Sequence, residues 1–405
     1  MSRAVVVTGI GVVGPAGAGR AAFDTWLATG TVLNQQLDHS AGHHRRGGAR
    51  EALLVGSLDL STWVPAMTAR RMSPPARYAL AAARMAIEDA ALSLDHPSLS
   101  QAAVMMATAF GPSSFTEKLL GGILREGPEA ASPALFTECV ANAPAAQIAL
   151  GCKAHGANVT ITQREAGGLL AIAAAAREIS LGRTTVALAG AVEEVTPLLH
   201  SILDRFTGLA RRLPGDVHEV ARPFDRRRNG FVVSEGAAVL VLEAESQAKA
   251  RGAPILARLL GGGSAFDPTA PATSWGDGGS TLAATVLERM TARGLPPDSI
   301  ERIVSGASGS VRGDRTEAML VADLNSAINA REVLSPKFLV GEYAGGFVAA
   351  AMAIARGCRV ASAPNFEVDP ELRIVPSECD GSPGRTLIVS TAAGGAAGWL
   401  AVEGV

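Results

Sequence analysis

The chain has 405 residues, of which 48% are hydrophobic, 18% charged and 4% aromatic, and its formal net charge is −2. That length supports a large core and more than one folding unit, and the composition excludes disordered and fibrous classes. The charge balance gives no footprint for a nucleic acid, and no segment approaches about 18 uninterrupted apolar residues, so neither a nucleic acid nor a membrane is an expected partner.

In chain order, an apolar run at Ala4–Thr8 predicts an opening strand rather than a basic, apolar signal stretch, and a cytoplasmic location is expected. Further strands are predicted at Ala102–Thr108, Asn158–Thr162, Thr185–Ala189 and Ala237–Leu242, and helices at Arg77–Leu92, Ser114–Arg125 and Glu165–Ile179. After about residue 250 the rhythm restarts. Strands follow at Ile255–Leu260, Ile300–Val304, Leu387–Ser390 and Gly398–Val402, with helices at Thr281–Arg293, Arg315–Ala330 and Gly345–Ala355. Two similar α/β halves, 1–250 and 251–405, suggest an internal duplication with strands buried on both faces. Gly261–Gly279, rich in Gly, Pro, Ser and Thr, reads as a surface loop.

Gly9-Ile10-Gly11-Val12-Val13-Gly14 matches a dinucleotide fingerprint, yet no strand ending in an acid follows, and Asp38 lies in a polar stretch. A tight strand-to-loop turn is the favoured reading. The basic run Ala41–Gly48 reads as a solvated loop, with a contact for an acidic carrier protein as the second reading. Cys139, Cys152, Cys358 and Cys379 form no CxxC pair, so no metal site and no disulfide framework are expected, and they read as small buried hydrophobes. Histidine, the usual general base of acyl transfer, occurs at 39, 43, 44, 96, 155, 200 and 218 and nowhere later.

Several motifs resemble the β-ketoacyl synthase branch of the thiolase-fold enzymes, along essentially the whole chain. They are Val6-Val7-Thr8-Gly9-Ile10-Gly11, then Arg222-Pro223-Phe224-Asp225 with Arg228, Gly230-Phe231-Val232 and Glu235-Gly236-Ala237, then Lys337 with Gly341, and Gly394-Gly395. The resemblance implies a five-layer αβαβα thiolase fold with two pseudo-equivalent, thiolase-like halves. In that family a Cys thiol sits at the head of a buried helix, whose N-terminus readies the thiolate, and two His complete the set. Glu165 stands at the Cys position. The first His belongs before the acidic pair represented by Asp314 and Glu317, where Gly306 and Ala307 stand. The second follows Gly341, where Glu342 stands. No catalytic residue is therefore expected, although the framing residues remain. Glu165 reads as a cap on its own helix that fills the old oxyanion region.

Chain length factors, the ketosynthase β subunits of type II polyketide systems, typically show Gln-Ala-Gly-Gly at the nucleophile turn and Tyr-Ala-Gly-Gly after the lost second His. This chain is similar, with Glu165-Ala166-Gly167-Gly168 and Tyr343-Ala344-Gly345-Gly346, and departs at the first residue. The resemblance implies a subunit with no intrinsic activity that pairs with a catalytic ketosynthase α subunit. It would shape the tunnel for the growing chain during decarboxylative Claisen condensation. Acyl carrier protein is the second implied partner; substrates ride on its phosphopantetheine, and no cofactor is expected. The implied tunnel segment is an interface helix near Ser132–Gln147, with Phe136, Val140 and Pro144 on one face and Leu135 and Cys139 beside them. Two other readings stand beside this one. One is a malonyl-carrier-protein decarboxylase that makes starter units, and the other is an acyl-binding protein without a catalytic partner.

Overall fold

The structure, a computed structural model, describes residues 3–372 and 374–405. Among these residues ten strands build the main sheet, with a short strand, Gly17–Ala18, hung on the first. They are β1 (Val5–Gly14), β2 (Ala103–Ala107), β3 (Asn158–Ile161), β4 (Val186–Glu193), β5 (Gly236–Ala244), β6 (Ala257–Phe266), β7 (Arg302–Ser305), β8 (Glu332–Leu334), β9 (Arg385–Thr391) and β10 (Ala396–Gly404). Their order is β8-β7-β9-β10-β6-β1-β5-β4-β2-β3. One motif is thus used twice. In each half the second strand pairs parallel with the third and fourth, the fourth antiparallel with the fifth, and the fifth antiparallel with the first. Among the described residues the strands of the two halves join where Val5–Val7 meets Ala257–Leu259.

Eight helices matter for the site: α1 (Pro74–Asp89), α2 (Ser113–Glu126), α3 (Pro133–Cys139), α4 (Ala143–Cys152), α5 (Gly167–Ser180), α6 (Gly279–Thr291), α7 (Val311–Ile328) and α8 (Ala344–Ala355). α1 and α4 cover the outer face of the first half and α6 and α7 that of the second, while α5 and α8 lie between the two halves of the sheet. α8 carries no charged residue and buries all twelve of its residues, as a helix hydrophobic on every side must. This is the five-layer thiolase fold, with two pseudo-equivalent halves.

The structure revises two expectations. Gly9–Gly14 is not a strand-to-loop turn; it is the second half of β1. Its glycines answer to α1, because a Cβ on Gly9 would lie 2.1 Å from the Ala86 carbonyl oxygen, and one on Gly11 1.9 Å from that of Ala82. Gly261–Phe266 is not loop but the continuation of β6, where the glycines face Trp399 and Leu400 across the ladder. The basic run is a solvated loop as expected, with Ala41, Gly42, Arg45, Arg46 and Gly47 exposed, and it is also tied down. Arg45 donates to Asp204 at 2.8 Å, His44 Nε2 lies 3.0 Å from His200 Nδ1, and His39 stacks on His44. The four cysteines are free, with Cys152 and Cys379 buried and Cys139 and Cys358 half-buried.

Forcing a methyl between β1 and α1 overpacks the core. Gly11→Ala is expected to cost about 1–3 kcal/mol, read as a lower urea midpoint. Gly122→Ala, in a helix where the nearest atom lies 3.9 Å from a new Cβ, is the control and should be neutral or stabilising. Equal effects of the two variants would refute the close-approach argument.

Candidate functional site

The site forms where the two halves meet. β3 runs out at Ile161, and a single 3-10 turn, Arg164–Ala166, leads into α5. Arg164 holds a positive φ of 23°, so the turn is sharp. Glu165 does not cap α5: Ala166 is the N-cap, and no side chain bonds there. The Glu165 side chain reaches into the second half instead. Its Oε2 accepts the Ala393 N–H at 3.3 Å, and its carbonyl accepts the Ser390 hydroxyl at 3.1 Å. Ala393 belongs to the Gly-rich turn between β9 and β10.

Glu342 is tied to a lysine. The Lys337 side chain is fully buried, and its ammonium donates to both Glu342 oxygens at 2.7 and 2.9 Å. It also sits 5.0 Å from the Phe347 ring centroid. Glu342 is aligned by its own N–H, which donates to the Val232 carbonyl at 2.8 Å. Gly306 and Ala307 line the same site with no functional side chain. Glu317 holds their loop by accepting the Gly306 N–H at 3.0 Å and the Thr391 N–H at 2.9 Å. Asp314 accepts the Ser308 N–H at 3.0 Å and the Phe224 N–H at 2.8 Å.

The signature residues buttress this wall. Phe224 is buried at a φ of 63°, an uncommon conformation for a bulky residue. Arg222 pairs with Asp216 at 2.6 Å and Asp225 with Arg227 at 2.8 Å, and the Gly230 N–H donates to the Gly309 carbonyl at 2.9 Å. The space bounded by Glu165, Gly306, Ala307, Asp314, Glu317 and Thr391 is about 10 Å³, room for roughly one water.

Burial pushes the Glu165 carboxyl up to about 7, the nearby Glu342 charge adds to the rise, and Lys337 partly offsets it. Burial likewise pushes Asp314 up to about 7 and raises Glu317. With one lysine for two glutamates, Lys337 pairs with Glu342, and the Glu165 carboxyl is left to titrate near neutral pH.

The tunnel residues do not share a helix face. α3 ends at Cys139, Val140 is extended (φ −81°, ψ 145°), and α4 begins at Ala143. Pro144 has no N–H for the Val140 carbonyl, which accepts the Ala143 N–H at 3.0 Å instead, so one continuous helix would lose a rung here. Phe136 and Val140 reach the surface, Leu135 and Cys139 are half-buried, and Pro144 is buried. Sequence reasoning missed the Lys337–Glu342 pairing and the Ser390 and Ala393 contacts. It also missed Glu193 and Glu194, buried at the start of α2. Glu194 accepts the Ser114 N–H at 2.6 Å, and Glu193 accepts that of Phe110 at 3.3 Å. The paired acids at 193 and 194, directly after an apolar strand, were the available signal.

Residues 2–248 match the β-ketoacyl synthase N-terminal domain, and the chain belongs to the β-ketoacyl synthase family. The 3-oxoacyl-(acyl-carrier-protein) synthase 2 of Synechocystis sp. is 30% identical over 409 residues, covering 96% of this chain and 94% of that protein. A putative polyketide β-ketoacyl synthase 1 of Streptomyces halstedii is 30% identical over 397 residues, covering 93% and 92%. Among solved structures, the ishigamide ketosynthase/chain length factor superposes with a TM-score of 0.87 at 26% identity over all of both chains.

Two isosteric variants separate the two acids. Glu342→Gln strands a buried ammonium and should cost about 3–5 kcal/mol in urea unfolding. Glu165→Gln should be nearly neutral at pH 7 and should flatten the pH dependence. The folded pKa of Glu165 lies above the unfolded value, so its contribution is full below pH 4.5 and is lost as the pH rises through about 7. The wild-type melting temperature should therefore fall more than that of Glu165→Gln between pH 6 and 8; identical slopes would contradict this assignment.

Proposed function

We propose that the chain is the non-catalytic, chain-length-setting subunit of a ketosynthase heterodimer. The observation that carries this reading is the filled site. Glu165 occupies the Ala393 N–H, Glu342 and Lys337 neutralise each other, and about one water's volume remains. Acyl transfer needs a thiolate or comparable nucleophile, a base, and a free donor for the developing oxyanion. A carboxyl group that itself occupies the Ala393 N–H offers neither a thiolate nor a free donor there. The condensation is then the work of a partner, a catalytic ketosynthase fed by acyl carrier protein, whose phosphopantetheine bears the substrates.

The surface supports a partner. Of the fourteen residues of α2 only Leu119 is buried, and Leu124 is 85% exposed. Phe110, Phe136, Val140, Leu150 and Val159 are exposed along the adjoining elements. β3 ends the sheet with its outer edge unpaired among the described residues. Apolar helices beside an open strand edge call for a cover, and an obligate interface would bury more than about 2,000 Å². The likeness to the ishigamide ketosynthase/chain length factor supports the same assembly.

Purified alone, the chain should neither condense nor decarboxylate malonyl-carrier protein. Co-expressed with the ketosynthase it pairs with, it should co-elute as a 1:1 complex that elongates. Turnover by the isolated chain that Glu165→Ala abolishes would refute the proposal.

A second measurement addresses length. Val140 is 37% exposed beside the break between α3 and α4. Val140→Trp should shorten the products of the reconstituted pair, because a closed apolar tunnel has no spare volume for a larger ring. Unchanged product masses from an intact complex would remove Val140 from the tunnel wall.

A further inference from the structure

α3 is held in an unusual way. Pro133, Ala134, Phe136 and Thr137 are exposed, and the single buried side chain of its seven residues is a carboxylate, Glu138, at 5% exposure. A surface helix is ordinarily anchored by burying an apolar stripe. Here one Glu138 oxygen accepts the Ser73 N–H at 2.9 Å and the other accepts the Gln147 side-chain amide at 2.6 Å. Gln147 lies on α4, and Ser73 is the N-cap of α1.

That N-terminus lacks its usual local partners. The Ser73 hydroxyl makes no cap bond, and Pro74 and Pro75 have no N–H. The third helical position, where a capping box would carry Glu or Gln, is Ala76. Glu138 supplies that missing acid from 65 residues away, at the helix end where the dipole favours negative charge. Thr116 adds one more tie to α3, donating its hydroxyl to the Cys139 carbonyl at 3.2 Å. One residue further on, the helix has ended and Val140 is exposed.

We propose that Glu138 is the positioning residue that fixes Phe136 and Val140 at the tunnel wall and thereby sets the chain length that the assembly releases. The proposal rests on the reading of this chain as a chain-length-setting subunit. A charge-assisted hydrogen bond is short and directional, so it fixes α3 against α1 and α4 without consuming apolar side chains. An apolar anchor would have turned Phe136 inward. Glu138 lets the helix be fixed on its inner side while Phe136 and Val140 stay free for a partner and an acyl chain. Removing the carboxylate leaves a buried N–H and a buried amide without partners.

The test has two readouts. Hydrogen exchange on the full chain should show residues 133–140 exchanging about five- to ten-fold faster in Glu138→Ala, the effect of losing a cap. β1 and α8 should be unchanged. Glu138→Gln, which keeps an oxygen for the Ser73 N–H, should change less. Reconstituted with the ketosynthase and malonyl-loaded carrier protein, Glu138→Ala should shift or broaden the product lengths, with Glu138→Gln between it and wild type. If Glu138→Ala loses the complex, Glu138→Gln carries the product comparison. Unchanged exchange over 133–140 overturns the proposal, and so does faster exchange with wild-type product lengths. If the wild-type pair makes no polyketide, the reading of the subunit has failed and the length claim falls with it. The exchange result on the chain alone still decides whether Glu138 anchors α3.

Discussion

The crossing of α5 and α8 is the constraint on which the rest of the molecule depends. Both helices open on the same run, Ala166-Gly167-Gly168 and Ala344-Gly345-Gly346, and each follows the third strand of its half. A Cβ on Gly168 would lie 2.8 Å from a Val348 methyl and 3.0 Å from the Ala344 carbonyl oxygen. The backbones approach as closely as glycine allows, and that distance sets the separation of the two halves of the sheet. It also brings the turn at Glu165 against Ser390 and Ala393 of the other half. A site assembled from both halves exists only because this middle layer is thin.

Electrostatics then explains why acids stand in the site. A buried lysine needs a counter-charge, and Glu342 provides one on both oxygens. The backbone N–H of Ala393 needs an acceptor, and Glu165 provides it. Two carboxylates against one ammonium would leave an uncompensated charge in a desolvated space, and the rise of the Glu165 carboxyl to about 7 relieves it by protonation. Glu165, Glu342 and Lys337 therefore belong to a satisfied polar network.

Much of this was legible in the sequence, and the failures have local causes. Helices α1, α2, α5, α6, α7 and α8 fall where periodicity put them, because each buries a broad apolar face or, for α2, alternates apolar and polar turns. β8, three residues at a sheet edge, is too short to carry a pattern. β6 was obscured because its glycines look like loop while serving as the partners of Trp399 and Leu400. Pro144 signalled the break after α3, but the four-residue spacing of Phe136, Val140 and Pro144 outweighed it. The positions of Glu165 and Glu342 were visible from the motifs around them. Their partners, Ala393 and Lys337, depend on a pairing between halves and on a buried turn, and no local pattern encodes either.

The elements that carry the open surface share one design. Glu193 and Glu194 hold the start of α2, and Glu138 holds α3, in each case by accepting backbone N–H groups from within. Outward, the same helices expose Leu120, Leu124 and Phe136. On α3 this reverses the usual amphipathic rule, in which apolar residues point in and charges point out, whereas α2 still buries Leu119 and exposes Lys118, Arg125 and Glu126. A buried carboxylate is costly, and it is tolerated only where several donors satisfy it. The reversal is coherent if the outer face is itself an interior, completed when a second polypeptide covers it. On that view the acids do for the uncovered subunit what apolar packing does elsewhere. They hold the helices in place before the partner arrives, so that the apolar surface is already formed when the interface closes.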